Sequence, residues 1–183
     1  DFQWADKFKD TVGTTNDNII STVYGNGKIY VTATSDGSLF GKSQEVLTLA
    51  YDREGNLLWN KRYSKDPFVE YPREILSDKT GNIYINGTGK SENGLDAVSL
   101  KYNPNGDLLW DKRNYNTFSQ YSSTRFDKEG NIFTIQPDAE NNGKISVIKY
   151  NSSGDEILNS FVITDLTDFP APNDWEVDSN GNI

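Results

Sequence analysis

The residues of this chain best equipped for chemistry are aromatic rings, carboxylates and amides gathered in the segments between patterned strands. They are Phe40, Phe68, Tyr71, Phe118 and Tyr121, with Asp36, Glu92 and Asn141. Aromatic faces that stack beside groups that hydrogen-bond are what glycan or peptide recognition needs. For Phe68, Tyr71, Phe118 and Tyr121 a second reading stands beside this one, in which the rings plug seams between repeats. A pair of carboxylates could support glycoside hydrolysis, yet the 27 acidic residues show no diagnostic spacing. Histidine and cysteine are both absent. That excludes Ser-His-Asp and Cys-His catalysis, imidazole- or thiolate-ligated metals, disulfides and histidine-based pH switching. The expectation is therefore binding rather than catalysis, with no catalytic residue, no metal and no cofactor.

The elements that must position these loops recur. A glycine turn followed by a strand is written four times, as Gly27-Lys28-Ile29-Tyr30, Gly81-Asn82-Ile83-Tyr84, Gly130-Asn131-Ile132-Phe133 and Gly181-Asn182-Ile183. The interval is about fifty residues, and short-strand repeats of that period indicate a propeller or β-array. Out of phase runs a turn-and-tryptophan element: Asp52 to Trp59, Asn103 to Trp110, and a decayed copy from Asn151 to Asn159. Trp59 and Trp110 recur with the repeat, so they read as packing residues of the outer strand.

Each copy reads as four strands. In the second copy they fall at Arg73 to Ser77, Ile83 to Thr88, Ala97 to Tyr102 and Leu108 to Tyr115. The third strand shows the physics best. Leu47, Leu49 and Tyr51 align with Val98, Leu100 and Tyr102, and with Ser146, Ile148 and Tyr150, the period of two that a packed sheet imposes. The turns Asp78-Lys79-Thr80-Gly81-Asn82 and Asp127-Lys128-Glu129-Gly130-Asn131 predict a type I turn closed by a glycine bulge. Their acidic character imitates a calcium loop, but the twelve-residue spacing and terminal Glu of that motif are missing. Lys61-Arg62 and Lys112-Arg113 read as solvated outer-strand faces.

These residues resemble a known family. The pattern from Gly81 to Gly87, then Lys101-Tyr102, then Asn103 to Trp110, is similar to the bacterial β-propeller repeat of the SBBP type, with three complete copies and two partial ones. The resemblance implies a propeller scaffold on surface or secreted proteins, with no common catalytic residues. Two departures stand out: Tyr24 where other copies have Asp78, Asp127 and Asp178, and Asn159 where Trp is expected. Quinoprotein repeats and the sialidase Asp box place their residues differently around the glycine, so neither set of roles transfers.

The predicted fold is all-β: a β-propeller of four-stranded antiparallel blades at about 19–63, 73–115 and 122–162, with partial blades at 2–8 and 172–183. A closed ring has about four to eight blades, so an incomplete ring belonging to a larger protein is expected. Up-and-down strands sort the loops onto two faces. The first-to-second and third-to-fourth turns are short and glycine-fixed. The other connections vary: Ser35 to Gln44, Gly89 to Leu95 and Pro137 to Lys144, then Ser64 to Pro72 and Asn116 to Gln120. Function is expected on that variable face.

Partners follow from charge. The net charge of −9 repels nucleic-acid backbones and anionic membrane surfaces. No apolar run approaches the roughly eighteen residues of a membrane span. A protein or glycan partner is expected on a secreted, periplasmic or cell-surface bacterial scaffold. The alternative is a propeller enzyme, carboxylate-based on glycans or quinone-dependent.

Overall fold

The computed structural model describes residues 17–36, 44–65, 69–92, 94–114, 123–127, 131–137, 145–163, 177–178 and 183. Twelve strands lie among them, in three antiparallel sheets of four. The first sheet is β1 (Asn18–Gly25), β2 (Lys28–Asp36), β3 (Gln44–Tyr51) and β4 (Leu57–Tyr63), adjacent in that order. The second is β5 (Val69–Ser77), β6 (Ile83–Ser91), β7 (Gly94–Tyr102) and β8 (Leu108–Asn114). The third is β9 (Ser123–Phe126), β10 (Ile132–Pro137), β11 (Ile145–Tyr150) and β12 (Glu156–Ile163). These are blades of a β-propeller. The segment 2–8 and nearly all of 172–183 lie outside the described residues.

Blades cover one another because both faces of each sheet are apolar. Tyr30, Val46 and Ala50 of the first blade join Ile83, Ile85, Val98 and Leu100 of the second in one buried cluster, and Trp59 packs against it. Tyr84 of the second blade joins Ile132, Ile148 and Tyr150 of the third, with Trp110 alongside. Each Leu or Ile so buried contributes about 1.5–3 kcal/mol. The period-two reading of the third strands accounts for one face of each seam. The other face is supplied by the second strands, through Tyr30 and Tyr84. At the inner strands the approach is close: a side chain at Gly25 would collide with Ser77, and Arg125 of β9 reaches Glu74 of β5 at 3.3 Å.

The turns are built from reciprocal Asp and Asn pairs. Asp52 with Asn56, Asp78 with Asn82 and Asp127 with Asn131 hold the same geometry as Asn103 with Asp107 and Asn151 with Asp155. In each pair the first side chain accepts the backbone N–H of the second residue, and the amide of one partner donates to the carboxylate of the other. One amide and one carboxylate are needed, and their order is free. At the second turn Gly81 donates its N–H to the Asp78 carbonyl at 3.1 Å and takes φ of 84°, the predicted type I turn with its glycine bulge. The first hairpin departs. Gly25 pairs directly with Lys28 around a two-residue turn in which Asn26 and Gly27 both have positive φ, and this accounts for the missing Asp at position 24.

Asp78 makes the turn pH-sensitive. Burial pushes its carboxyl up, but hydrogen bonds from Thr80, Asn82 and Tyr84 outweigh that and hold it below the usual range. A depressed folded value contributes stability that is present above the unfolded value of about 3.9 and is lost as pH falls through the folded one. Urea unfolding is therefore expected to show Asp78→Asn less stable than the parent at pH 6, with the gap narrowing toward pH 3. A gap that stays constant with pH would rule the carboxylate out as its source.

Candidate functional site

Two inner strands bulge at equivalent places. In β1 the register slips between Ile19 and Ser21 opposite Ala33 and Thr32, and in β5 it slips between Pro72 and Glu74 opposite Gly87 and Asn86. The extra residues are Ile20 and Arg73. A bulge turns its extra residue out of the ladder and re-aims the side chain. Both residues line one cleft of about 490 Å³ with Thr34, Tyr71, Pro72, Thr88 and Leu95. All seven sit toward the ends of their strands that carry the variable connections, and they come from the first two blades.

The cleft is shaped by glycine and proline. A side chain at Gly87 would run into the Tyr71 carbonyl oxygen, so the bulge and this glycine require each other. Pro72 is buried between Tyr71 and Arg73, which are both exposed. Tyr71 is 40 % accessible and Ile20 39 %, while Thr34 and Thr88 are buried at the floor.

Behind the cleft, at the same end of the second blade, stands a charged cluster that holds the blade rather than the ligand. Arg113 of β8 donates to Glu70 of β5 and to Asp96 of β7, each at 2.8 Å. Its side chain is 3 % accessible and both acids are fully buried. Gly89 opens the space, because a side chain there would strike the guanidinium. In the first blade the corresponding positions are Arg62, Glu45, Asp17 and Ser35. Arg62 donates to Ser35 at 2.9 Å and to Glu45 at 3.3 Å, and Ser35 donates to Asp17 at 2.5 Å. Burial, with the charge of Glu70 added, holds the Glu45 carboxyl above its ordinary value. The expectation that Arg62 and Arg113 belong to solvated outer faces is corrected here: both turn inward, Arg113 completely.

Of the residues singled out in the sequence, Tyr71 is in the cleft, but on β5, paired with Thr88, and not in the expected connection from Ser64 to Pro72, because β5 already begins at Val69. Asp36 lies at the end of β2, where it accepts a hydrogen bond from Gln44 at 3.4 Å. Glu92 is exposed at the tip of the β6–β7 hairpin. That connection is tighter than the expected loop from Gly89 to Leu95, because β6 and β7 stay paired out to Ser91 and Gly94. Phe40, Phe68, Phe118, Tyr121 and Asn141 lie outside the described residues. Sequence reading missed Ile20, Arg73, Thr34 and Thr88; the signal available was that Ile20 and Arg73 occupy equivalent places in the repeat and differ in kind.

Trp59 and Trp110 belong to the seams, as their recurrence implies. Trp59 donates Nε1–H to the Pro104 carbonyl of the next blade at 3.1 Å, and the turn glycines Gly106 and Gly154 lie against Trp59 and Trp110. The register also corrects one alignment. Ala50 faces Trp59, Lys101 faces Trp110 and Lys149 faces Leu158, so Leu158, not Asn159, stands at the tryptophan position of the third blade.

No protein-family model matches the sequence, and no curated protein does. Among solved structures the chain is similar to a subtype N10 neuraminidase-like protein of A/little yellow-shouldered bat/Guatemala/060/2010, at 12 % identity and a TM-score of 0.51. The likeness covers 76 % of this chain and 42 % of that one, so this chain matches less than half the length of its neighbour. That neighbour is a six-bladed β-propeller, and what the two share is the propeller fold.

Proposed function

We propose that this chain is a non-catalytic propeller module of an exported or surface-displayed bacterial protein, built of SBBP-type repeats, which binds a protein or glycan partner on its variable-connection face. The observation that carries this reading is the cleft between the first two blades. Its two bulged positions recur in the fold, yet they hold Ile20 in one blade and Arg73 in the other. Residues that serve the blade repeat, and residues that serve a ligand need not.

A glycan-active enzyme is the second reading, and the fold it shares with a neuraminidase-like protein favours it. Against it stands the lining of the cleft, in which none of the seven described residues is a carboxylate. The carboxylate pair that most glycosidases use is therefore missing among the described lining residues, where Tyr71 is the one side chain of a type that exchanges protons in general acid and base catalysis. A glycan array and a pull-down with the chain and its Tyr71→Ala variant test the proposal. The variant is expected to weaken the captured interaction by about tenfold or more, as loss of a central aromatic contact does. Binding that ignores the substitution, or release of reducing sugar from an array ligand, would refute it.

A further inference from the structure

We infer that the cleft takes a short segment of a protein partner in which an aliphatic residue adjoins an Asp or Glu, the aliphatic side chain entering between Ile20 and Leu95 and the carboxylate meeting Arg73. This rests on the binding-module reading and narrows it to one ligand class.

The first support is the state of Arg73. The chain has five arginines. Arg53 donates to the Tyr24 hydroxyl, Arg62 pairs with Glu45, Arg113 with Glu70 and Asp96, and Arg125 with Glu74. Arg73 alone has no hydrogen bond or ion pair with any described residue, although the chain carries 27 acids against 18 bases. In so acidic a protein an exposed guanidinium left over at the rim of a cleft is a free fork of donors, and carboxylate is the group that fits it in two parallel bonds. The bulge at Pro72 presents this fork, since a regular strand would have kept position 73 in the ladder.

The second support is the remaining lining. Ile20, Pro72 and Leu95 are aliphatic, Tyr71 supplies one ring, and Thr34 and Thr88 are the other polar side chains among the described lining residues. Sugars are usually held by several amides and carboxylates fanned around an aromatic platform, and among the described lining residues there is no Asn, Gln, Asp or Glu. An aliphatic side chain gains from this surface at about 25 cal/mol per Å² removed from water, whereas a sugar ring would bury hydroxyls against Ile20 and Leu95 without partners. An apolar body with one adjoining carboxylate matches both features.

The test uses the whole chain and an oriented library of acetylated hexapeptides with leucine fixed at the third position and the flanking positions varied. Trigalacturonate and trigalactose serve as acidic and neutral sugar probes. Selection of Asp or Glu beside the leucine is expected. Arg73→Gln should cut binding of the selected peptides about tenfold, Arg73→Lys should restore part of it as a point charge does, and added salt should weaken the parent more than Arg73→Gln. Ile20→Asp is the second variant. It places a carboxylate in the cleft and should abolish the acidic preference even if the Arg73 variants fold poorly. A library that selects no acid, or one whose selection survives both Arg73→Gln and Ile20→Asp, overturns the inference. So does Arg73-dependent binding of trigalacturonate with no peptide selected. Tyr71-dependent binding of trigalactose alone would overturn the peptide assignment while leaving the wider reading of a binding module intact.

Discussion

Replacing Arg113 by methionine is expected to cost about 3–5 kcal/mol of folding stability, the largest loss from any single side chain among the charged groups described. The substitution keeps much of the apolar stem and removes the charge, leaving Glu70 and Asp96 fully buried without their cation. The energy is the penalty of stranded carboxylates, not the net worth of the pairs. The triple variant Arg113→Met, Glu70→Leu, Asp96→Leu is accordingly expected to recover most of the loss, since a buried ionic cluster replaced by apolar groups is often neutral. Arg62→Met in the first blade provides the calibration. Arg62 and Glu45 remain 24 % and 17 % accessible, so water compensates in part and a cost of about 1 kcal/mol is expected. Urea unfolding at neutral pH measures all three. Equal losses for Arg113→Met and Arg62→Met would show that burial does not govern these clusters.

The same residue explains where sequence reading reached its limit. The blades were legible because their signals are local: a glycine with positive φ at Gly81 or Gly106, an Asp four residues before its Asn, and period-two alternation from Val98 to Tyr102 are all read within a few positions. Lys112-Arg113 looks like a solvated pair for an equally local reason, because its acids stand 17 and 43 residues away. Nothing in the neighbourhood of Arg113 announces them. Arg73 was hidden differently. Whether its side chain enters the sheet or leaves it depends on one slip of register opposite Gly87, and a single-strand pattern carries no register. Tyr71 could be found as an aromatic residue near a variable connection, but its partners in the cleft, Ile20 and Leu95, belong to other strands and were visible only once the blades were set side by side.

Trp59→Ala is expected to cost about 2–4 kcal/mol, somewhat below a fully buried tryptophan because Trp59 is only partly covered. Its ring lies 5.9 Å from Tyr30 in its own blade and 6.4 Å from Tyr102 in the next, so the loss falls on the seam. The receiving turn is cut to the ring. A side-chain carbon at Gly106 would come 2.8 Å from Trp59, and Gly106 already holds a positive φ of 85°. Gly106→Ala should therefore cost about 1 kcal/mol for the backbone and a further 1–3 kcal/mol for the collision. The other near atom is the flexible end of Lys61, at 3.0 Å, which can move aside, so Gly106→Ala in the Trp59→Ala background should cost little more than the backbone part, and a double-mutant cycle reads the difference as coupling. Additive losses would mean that the ring and the turn do not touch in solution. The N–H can be separated from the ring by comparing the two seams. Trp59 shares the Pro104 carbonyl with Lys28, at 3.1 and 2.8 Å, whereas at the next seam the Ser152 carbonyl accepts from Lys101 and the Trp110 Nε1 is buried without a hydrogen-bond partner among the described residues. Phenylalanine keeps an aromatic ring and removes the donor, so Trp59→Phe should lose about 1 kcal/mol more than Trp110→Phe. The reverse order would place the stabilising hydrogen bond at the second seam and not the first.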